Sequence, residues 1–384
     1  MNPETIVQDH IFNDDLLINE KKDRGMTDLE WAREQFPEII HLLDYPRLRE
    51  KFKVYEDEAN YCRDWVRRLG FGAVISATIA LLAVATEPVW PQAAWTPWVA
   101  LIAELGGIAG LLIAAGWIWP LKTRWLKARL MTERIRQWHF QLMVRRATAV
   151  ETSFQPGGQS DFARQRDVWF NDFLKTYEDK QVGKLNDLTG EKSERETWLH
   201  ELTGEYSRNS IAFPHLCKAF KRLRFDHQVG YANYKLRSTR TEPLFCFTKW
   251  PAVHQMKVLS ASAGFCFVCA TICSIILIWS YATEVMGKGQ NPGISLMTQH
   301  YVRAAAIAVA LIGAALRTIQ EGLAPDEEIE RYEDYKSRTI QLRDRFETTD
   351  VKKRLHLMEE LEHATVDEMK GFLRTHHKAT FVLA

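Results

Sequence analysis

Residues 98–146 read WVALIAELGGIAGLLIAAGWIWPLKTRWLKARLMTERIRQWHFQLMVRR. From Trp98 to Trp119 the stretch is apolar and rich in Gly and Ala. Beyond Pro120 it turns cationic and aromatic, with Lys122, Arg124, Lys127, Arg129, Arg134, Arg136, Arg145 and Arg146. About 20 apolar residues, each rising about 1.5 Å, cross a hydrocarbon core. The first half therefore predicts a transmembrane helix and the second half its exit into water.

A second apolar run, Leu69 to Ala85, precedes this one. Between them lies Thr86 to Pro97, whose Pro88, Pro91 and Pro97 no helix crosses unbroken. The pattern then recurs: Val258 to Tyr281 is apolar, Ala282 to Pro292 carries Gly287, Gly289 and Pro292, and Ile294 to Leu316 returns. The expectation is an all-α membrane protein with four transmembrane helices in two hairpins and long cytosolic helical extensions. Its parts are N-terminal helices (1–68), a first hairpin (69–119), a helical region (120–257), a second hairpin (258–316) and C-terminal helices (317–384).

Composition hides this organisation. With 50 Lys and Arg against 49 Asp and Glu, the 384 residues look like an ordinary soluble chain, because long charged segments dilute four apolar runs. The loops set the orientation. Arg63, Arg67 and Arg68 precede the first span and the cluster from Lys122 follows the second, whereas the turn between them has no Lys or Arg. By the positive-inside rule both termini and all long segments are cytoplasmic. The start of the sequence has no basic region followed by an apolar core, so no cleavable signal peptide is expected.

Outside the spans the pattern is helical. Thr27 and Glu30 have capping-box spacing, Pro37 and Pro46 divide the segment that follows, and Ser160, after the PGGQ of 156–159, is placed to cap another helix. Pro325 opens a further helix with Asp326, Glu327 and Glu328 in its first turn, favourable against the helix dipole. The charged stretch 182–208 reads as short helices and loops.

No enzyme signature is present. Gly190-Glu191-Lys192-Ser193 lacks the spacing of a phosphate-binding loop, and His200-Glu201 lacks the second His of a metalloprotease helix. The six cysteines have no His at ligand spacing, and Cys266, Cys269 and Cys273 recur on one face of an apolar helix. They read as small packing residues, with palmitoylation the alternative. No cofactor and no metal are expected.

The exit helix has two readings. Lys122, Arg124, Lys127 and Arg129 sit where anionic headgroups would be. Farther along, Arg134, Arg136, Arg145 and Arg146, interleaved with Trp138, have the types that bind phosphates and stack bases. Lys221, Arg222 and Arg224, among Phe220, Phe225 and Tyr231, form a comparable set. Gly106 with Gly110, Ser260 with Gly264 and the Ala-rich fourth span allow close helix approach, within one subunit or between subunits.

Taken together, the exit helix (RWLKARLMTERIRQWHF), RLRFDHQVGYANYKL before the second hairpin and EEIERYEDYKSRTIQL after it resemble SLATT-type effectors of prokaryotic anti-phage conflict systems. The resemblance covers both hairpins and their flanks, not Gly157 to about Ser210. It implies a helical homo-oligomer that forms a pore controlled by a nucleotide or oligonucleotide signal, with a nucleotidyltransferase-type partner protein. Two hairpins in one chain are a departure from that pattern. Four spans are too few to enclose a water-filled path alone, so a symmetric oligomer is expected, a tetramer favoured over a dimer. A non-conducting membrane anchor that presents a helical interaction surface is the rival reading.

Two ionisable residues lie inside apolar runs, Glu104 in the second span and Arg303 in the fourth. Such groups cost about 2.5–3.5 kcal/mol on insertion scales, so they are paired or face water. Counted from their outer ends they fall within about a turn of each other in depth. Either they pair with one another or each faces a common aqueous path.

Overall fold

A computed structural model describes residues 9–19, 26–86, 96–179, 206–207, 210–239, 247, 250–285, 296–379 and 381. These are helical, with no strand among the described residues. A short 3-10 segment, Asp9–Leu16, precedes α1 (Asp28–Gln35), α2 (Ile40–Leu43), α3 (Pro46–Thr86), α4 (Thr96–Arg145), α5 (Ala147–Thr152) and α6 (Gly158–Leu174). Then come α7 (Ala212–Phe220), a π-helical turn (Lys221–Asp226), α8 (His227–Lys235), α9 (Ala252–Val285), α10 (Leu296–Leu323), α11 (Pro325–Thr348) and α12 (Val351–Lys378). Four of these helices, α3, α4, α9 and α10, contain stretches long and apolar enough to cross a membrane. The turns expected at 86–97 and 282–292 and the stretch 182–208 lie largely outside the described residues.

The chain divides into two compact units. The first takes Met1–Tyr61, Arg124–Arg237 and Glu328–His377; the second takes Cys62–Thr123, Ser238–Glu327 and Lys378–Ala384.

In the first unit, local chemistry sets the helix ends. Thr27 Oγ1 accepts from the Glu30 amide at 3.2 Å while the Thr27 amide donates to Glu30 Oε2 at 2.7 Å, so α1 starts on the expected capping box. The short α2 ends before Pro46, and Arg166 of α6 satisfies its exposed carbonyls. Arg166 donates to His41 O at 3.1 Å, Leu42 O at 3.2 Å and Asp44 O at 3.3 Å, with its guanidinium 4.0 Å from the centre of the Tyr45 ring. Ser160 does not cap α6. That helix begins two residues earlier, behind Gly157 at φ 79°, where a side chain would be strained, and Ser160 Oγ donates back to Gly157 O.

The core of this unit is aromatic and built from remote segments. Trp138 of α4 packs 4.9 Å from Phe170 of α6, centroid to centroid, Phe140 meets Phe220 of α7 edge-on, and Phe225 meets Phe346 of α11 at 5.1 Å. Leu357, Met358 and Leu361 of α12 close the same cluster.

In the second unit the helices run against one another in a consistent order. Gly107 and Gly110 of α4 face Ala80 and Ser76 of α3, and a methyl group at Gly107 would come within 2.6 Å of the Ala80 Cβ. These two helices are therefore antiparallel. Gly110 serves close packing as its spacing suggests, but Gly106 faces open space. The pair α9 and α10 is antiparallel too, with Ser280 bonded to Gln299 at 3.0 Å and Gly313 against Cys266. Gly264 faces open space.

Val74 of α3 shares a core with Leu259 of α9 and Ala315, Ile319 and Leu323 of α10. Below it the Phe381 ring lies between Gly70 of α3 and Gly322 of α10, each placed so that any Cβ would collide with the ring. Lys122 Nζ holds the Ala379 carbonyl at 2.6 Å. The expected result for Gly322→Leu is expulsion of that ring and a loss of about 1–3 kcal/mol, the usual range for overpacking. Thermal melting in detergent measures it, and Phe381→Ala in the same chain should recover part of the loss. A melting point unchanged by Gly322→Leu would show that the socket carries no stability.

Candidate functional site

Glu104 and Arg303 lie in corresponding turns of their helices but not within a turn of each other in depth: Gly107 and Gly110 against Ala80 and Ser76, and Gly70 opposite Gly322 across the Phe381 ring, offset the two by about 10 Å along α3 at about 1.5 Å per residue. Glu104 lies in the third turn of α4 and Arg303 in the third turn of α10, both helices running in the same direction because each is antiparallel to α3. Both side chains are exposed on the outside of their unit. Among the described residues, neither makes an ion pair or hydrogen bond, so the structure does not bring them together within one chain. Their surroundings are apolar, with Leu101, Leu105 and Ile108 around Glu104 and Ile307 beside Arg303.

The outward faces of the apolar helices differ in character. On α9 they carry bulky groups, with Phe265, Phe267, Ile278 and Trp279 each 68–74% exposed, and only 6% of its apolar window is buried. Such a face suits lipid. On α10 the exposed positions mix Ala305, Ala310 and Ala314 and the cations Arg303 and Arg317 with Tyr301, Ile307 and Ile312. Small and cationic groups gain little from lipid contact and suit a protein or water neighbour.

The basic-aromatic set behaves differently from a surface patch. Arg136 is buried, with Nε 3.0 Å from Asp15 and Nη1 2.8 Å from Glu133, and Nη2 donates to Asn13. Arg224 has no exposed side-chain surface; its Nε and Nη2 each donate to a Glu362 oxygen at 2.9 Å, and its guanidinium lies 4.6 Å from the centre of the Phe140 ring. Asp15 stands between the two cations, 4.0 Å from Arg224. Arg129 extends the network to Glu133 at 2.6 Å and Glu56 at 3.2 Å, and His227 Nδ1 lies 2.7 Å from Asp14.

The other members of the set are engaged nearby. Trp138 is a core residue, 7% exposed. Arg134 is buried with its guanidinium over the Tyr177 ring, Arg145 lies 3.5 Å from Glu359, and Arg146 stacks on Trp169. Lys221 pairs with Glu347 at 2.6 Å. Arg222 is exposed and stacks on Trp31, and exposed Lys218 bonds Gln35 O and lies over Phe36. Lys218 and Arg222 thus flank α1 from outside and Lys221 pairs with α11, whereas Arg134, Arg136 and Arg224 face the interior.

Burial shapes the electrostatics of this network. It pushes the Glu133 carboxyl up, but Arg136, Arg129 and Arg224 outweigh it and hold that group below the ordinary carboxylate range. At Glu362 burial prevails over Arg224 and the carboxyl sits above its ordinary range. His139, buried near Arg166, Arg49 and Arg224, is pushed down to about 3 by burial first and those cations second, so it is neutral.

The sequence reading missed Asp15, Glu133 and Glu362, the carboxylates that balance the inward arginines. The spacing of Arg129, Glu133 and Arg136, four and three residues apart on one helix, was an available signal for part of it. Among the described residues no cluster of His, Cys, Asp and Glu could hold a metal ion. No protein-family model, curated protein or solved structure matches the chain.

Proposed function

We propose that the chain is an oligomeric membrane effector of a bacterial anti-phage system, whose spans enclose an ion-conducting path gated by its helical unit. The observation that carries this reading is the exposure of Glu104 and Arg303, without partners among the described residues, on helical stretches that are otherwise apolar. Facing lipid, each would cost about 2.5–3.5 kcal/mol on insertion scales; facing another copy or water, neither does. The small and cationic residues among the exposed positions of α10 support the same placement. The resemblance to SLATT-type effectors supports the same class and, with it, the inner membrane of a prokaryote, and the positive-inside pattern of the loops supports cytoplasmic termini.

The controlling signal in this reading is a nucleotide or oligonucleotide, made by a nucleotidyltransferase-type partner. Its receiving surface is the exposed side of α7 and α1, where Lys218 and Arg222 stack on Phe36 and Trp31. Cation and aromatic plane together suit a phosphate and a base.

Induced expression is expected to depolarise cells, reported by a potential-sensitive dye, and Glu104→Gln and Arg303→Gln are each expected to change the extent of it. Non-additivity in the double variant would show that the two residues act together. An unchanged potential at full expression of membrane-inserted protein would favour a non-conducting anchor instead.

A further inference from the structure

Helix α12 belongs to the helical unit as far as His377, and the segment Lys378–Ala384 belongs with the apolar spans. Shortly beyond Lys378, the half-buried Phe381 ring stands between Gly70 of α3 and Gly322 of α10. Its Cγ lies 2.5 Å and 2.6 Å from where a Cβ would sit on those two residues, so only glycine leaves room for it on either side. The ring packs on the core of Val74, Ile319 and Leu323, and its centre is 6.2 Å from that of Phe71. Lys122 of α4 bonds the Ala379 carbonyl at 2.6 Å. One short segment thus engages spans from both antiparallel pairs.

Neither helix can replace this filler. Withdrawn, the ring leaves no side chain at Gly70 or Gly322 to close the gap, and α3 and α10 lose their packing at that level. The ring sits at the rim of its core, and its tether to α12 is short. The three residues from Lys378 to Phe381 reach at most about 11 Å when fully extended. A shift of the end of α12 beyond the slack in that length draws the ring out.

We propose that Phe381 is a removable wedge through which α12 controls the spans. Seated between Gly70 and Gly322, it holds α3 against α10 and keeps the path closed; drawn out by α12, it lets the two helices part. The proposal rests on the gated path proposed above and names the part that carries the gate.

The test uses the full chain in its native membrane. Phe381→Ala removes the wedge, and the same dye-reported depolarisation is expected at no more than a third of the parent's level of inserted protein. An insertion of about six Gly and Ser residues between Lys378 and Ala379 gives slack without touching ring or socket. That chain is expected to need at least three times the parent's level. Phe381→Cys combined with Gly322→Cys brings two thiols within disulfide reach. Oxidation is expected to abolish depolarisation by this chain, and a reductant to restore it, with the parent and its own cysteines as control.

A second readout does not depend on conduction. Leu361, fully buried on α12, anchors that helix in the helical unit. Adding Leu361→Ala to the cysteine pair is expected to lower the yield of linked 322–381 peptides, read by mass spectrometry, at least threefold, and the Gly-Ser insertion to cancel that drop. A yield indifferent to Leu361→Ala, or no linked peptide at all, overturns the coupling whether or not the protein conducts. Parent-like depolarisation by Phe381→Ala, by the extended chain and by the oxidised pair makes the ring a static packing group and overturns the gate, while the conducting reading stands. If no form depolarises cells, the parent included, the conducting reading falls and the gate with it, whereas a yield that follows Leu361→Ala still supports the coupling of ring to α12.

Discussion

Arg224→Ala is expected to destabilise the helical unit by about 3–5 kcal/mol, because removing one member of a buried ion pair leaves the other charged and unpaired. The side chain has no exposed surface and its partner Glu362 is 3% exposed, so water cannot replace the lost bonds. The loss should carry a pH signature. Without Arg224 the Glu362 carboxyl, already above its ordinary range through burial, rises further and takes up a proton. The folded variant then binds a proton that the unfolded chain releases near its ordinary pKa, so its stability falls as pH rises through the shifted value.

The deficit is accordingly smaller in mild acid than at neutral pH. Replacing the pair by Arg224→Met with Glu362→Leu is expected to recover most of it, since apolar replacement of a buried pair is often neutral or stabilising. Denaturant unfolding in detergent, followed by tryptophan fluorescence, measures both. A loss below about 1 kcal/mol for Arg224→Ala would mean that the pair is not a support of the fold.

His139→Gln is expected to flatten the acid side of the stability profile. The folded imidazole titrates at about 3, chiefly through burial, whereas an unfolded one titrates near 6.5. Between those values the unfolded chain holds a proton that the folded chain does not, so stability declines as pH falls from about 6.5 towards about 3. The slope from this residue is up to about 1.4 kcal/mol per pH unit. Above about pH 6.5 both states are neutral and the contribution is fully present. Glutamine stays neutral throughout, so the stability difference between parent and variant should shift by about 2 kcal/mol from pH 7 to 5. A difference constant with pH would show that His139 is not held neutral.

What could be read in advance was what a one-dimensional pattern records. The apolar runs in α3, α4, α9 and α10, the capping box at Thr27 and Glu30, and the start of α11 at Pro325 all depend on residues within a few turns of each other. The rotation of each helix about its axis does not. Whether Arg136 and Arg224 face water or the interior depends on Asp15 and Glu362, and Glu362 lies 138 residues from Arg224. A basic helix reads the same from either side until its counter-charges are located. Similar reasoning explains Glu104 and Arg303: position along each helix follows from counting, but their offset in depth is fixed by Gly107 and Gly110 packing on α3 and by Gly70 opposite Gly322. The side each faces is fixed by those contacts and by Gly313 packing on α9.

The buried charge cluster also bears on how the chain is made. Its members come from positions 15, 136, 224 and 362, and two apolar helices lie between the first two positions and two more between the last two. If one apolar segment failed to insert, the stretch after it would emerge on the opposite side of the bilayer. Arg224 and Glu362, or Asp15 and Arg136, would then be separated by lipid, and the arginines would be left unmatched in a half-built core. In the proposed four-crossing arrangement, closure of this charged interior therefore requires every crossing to be made, so that each buried arginine meets its carboxylate.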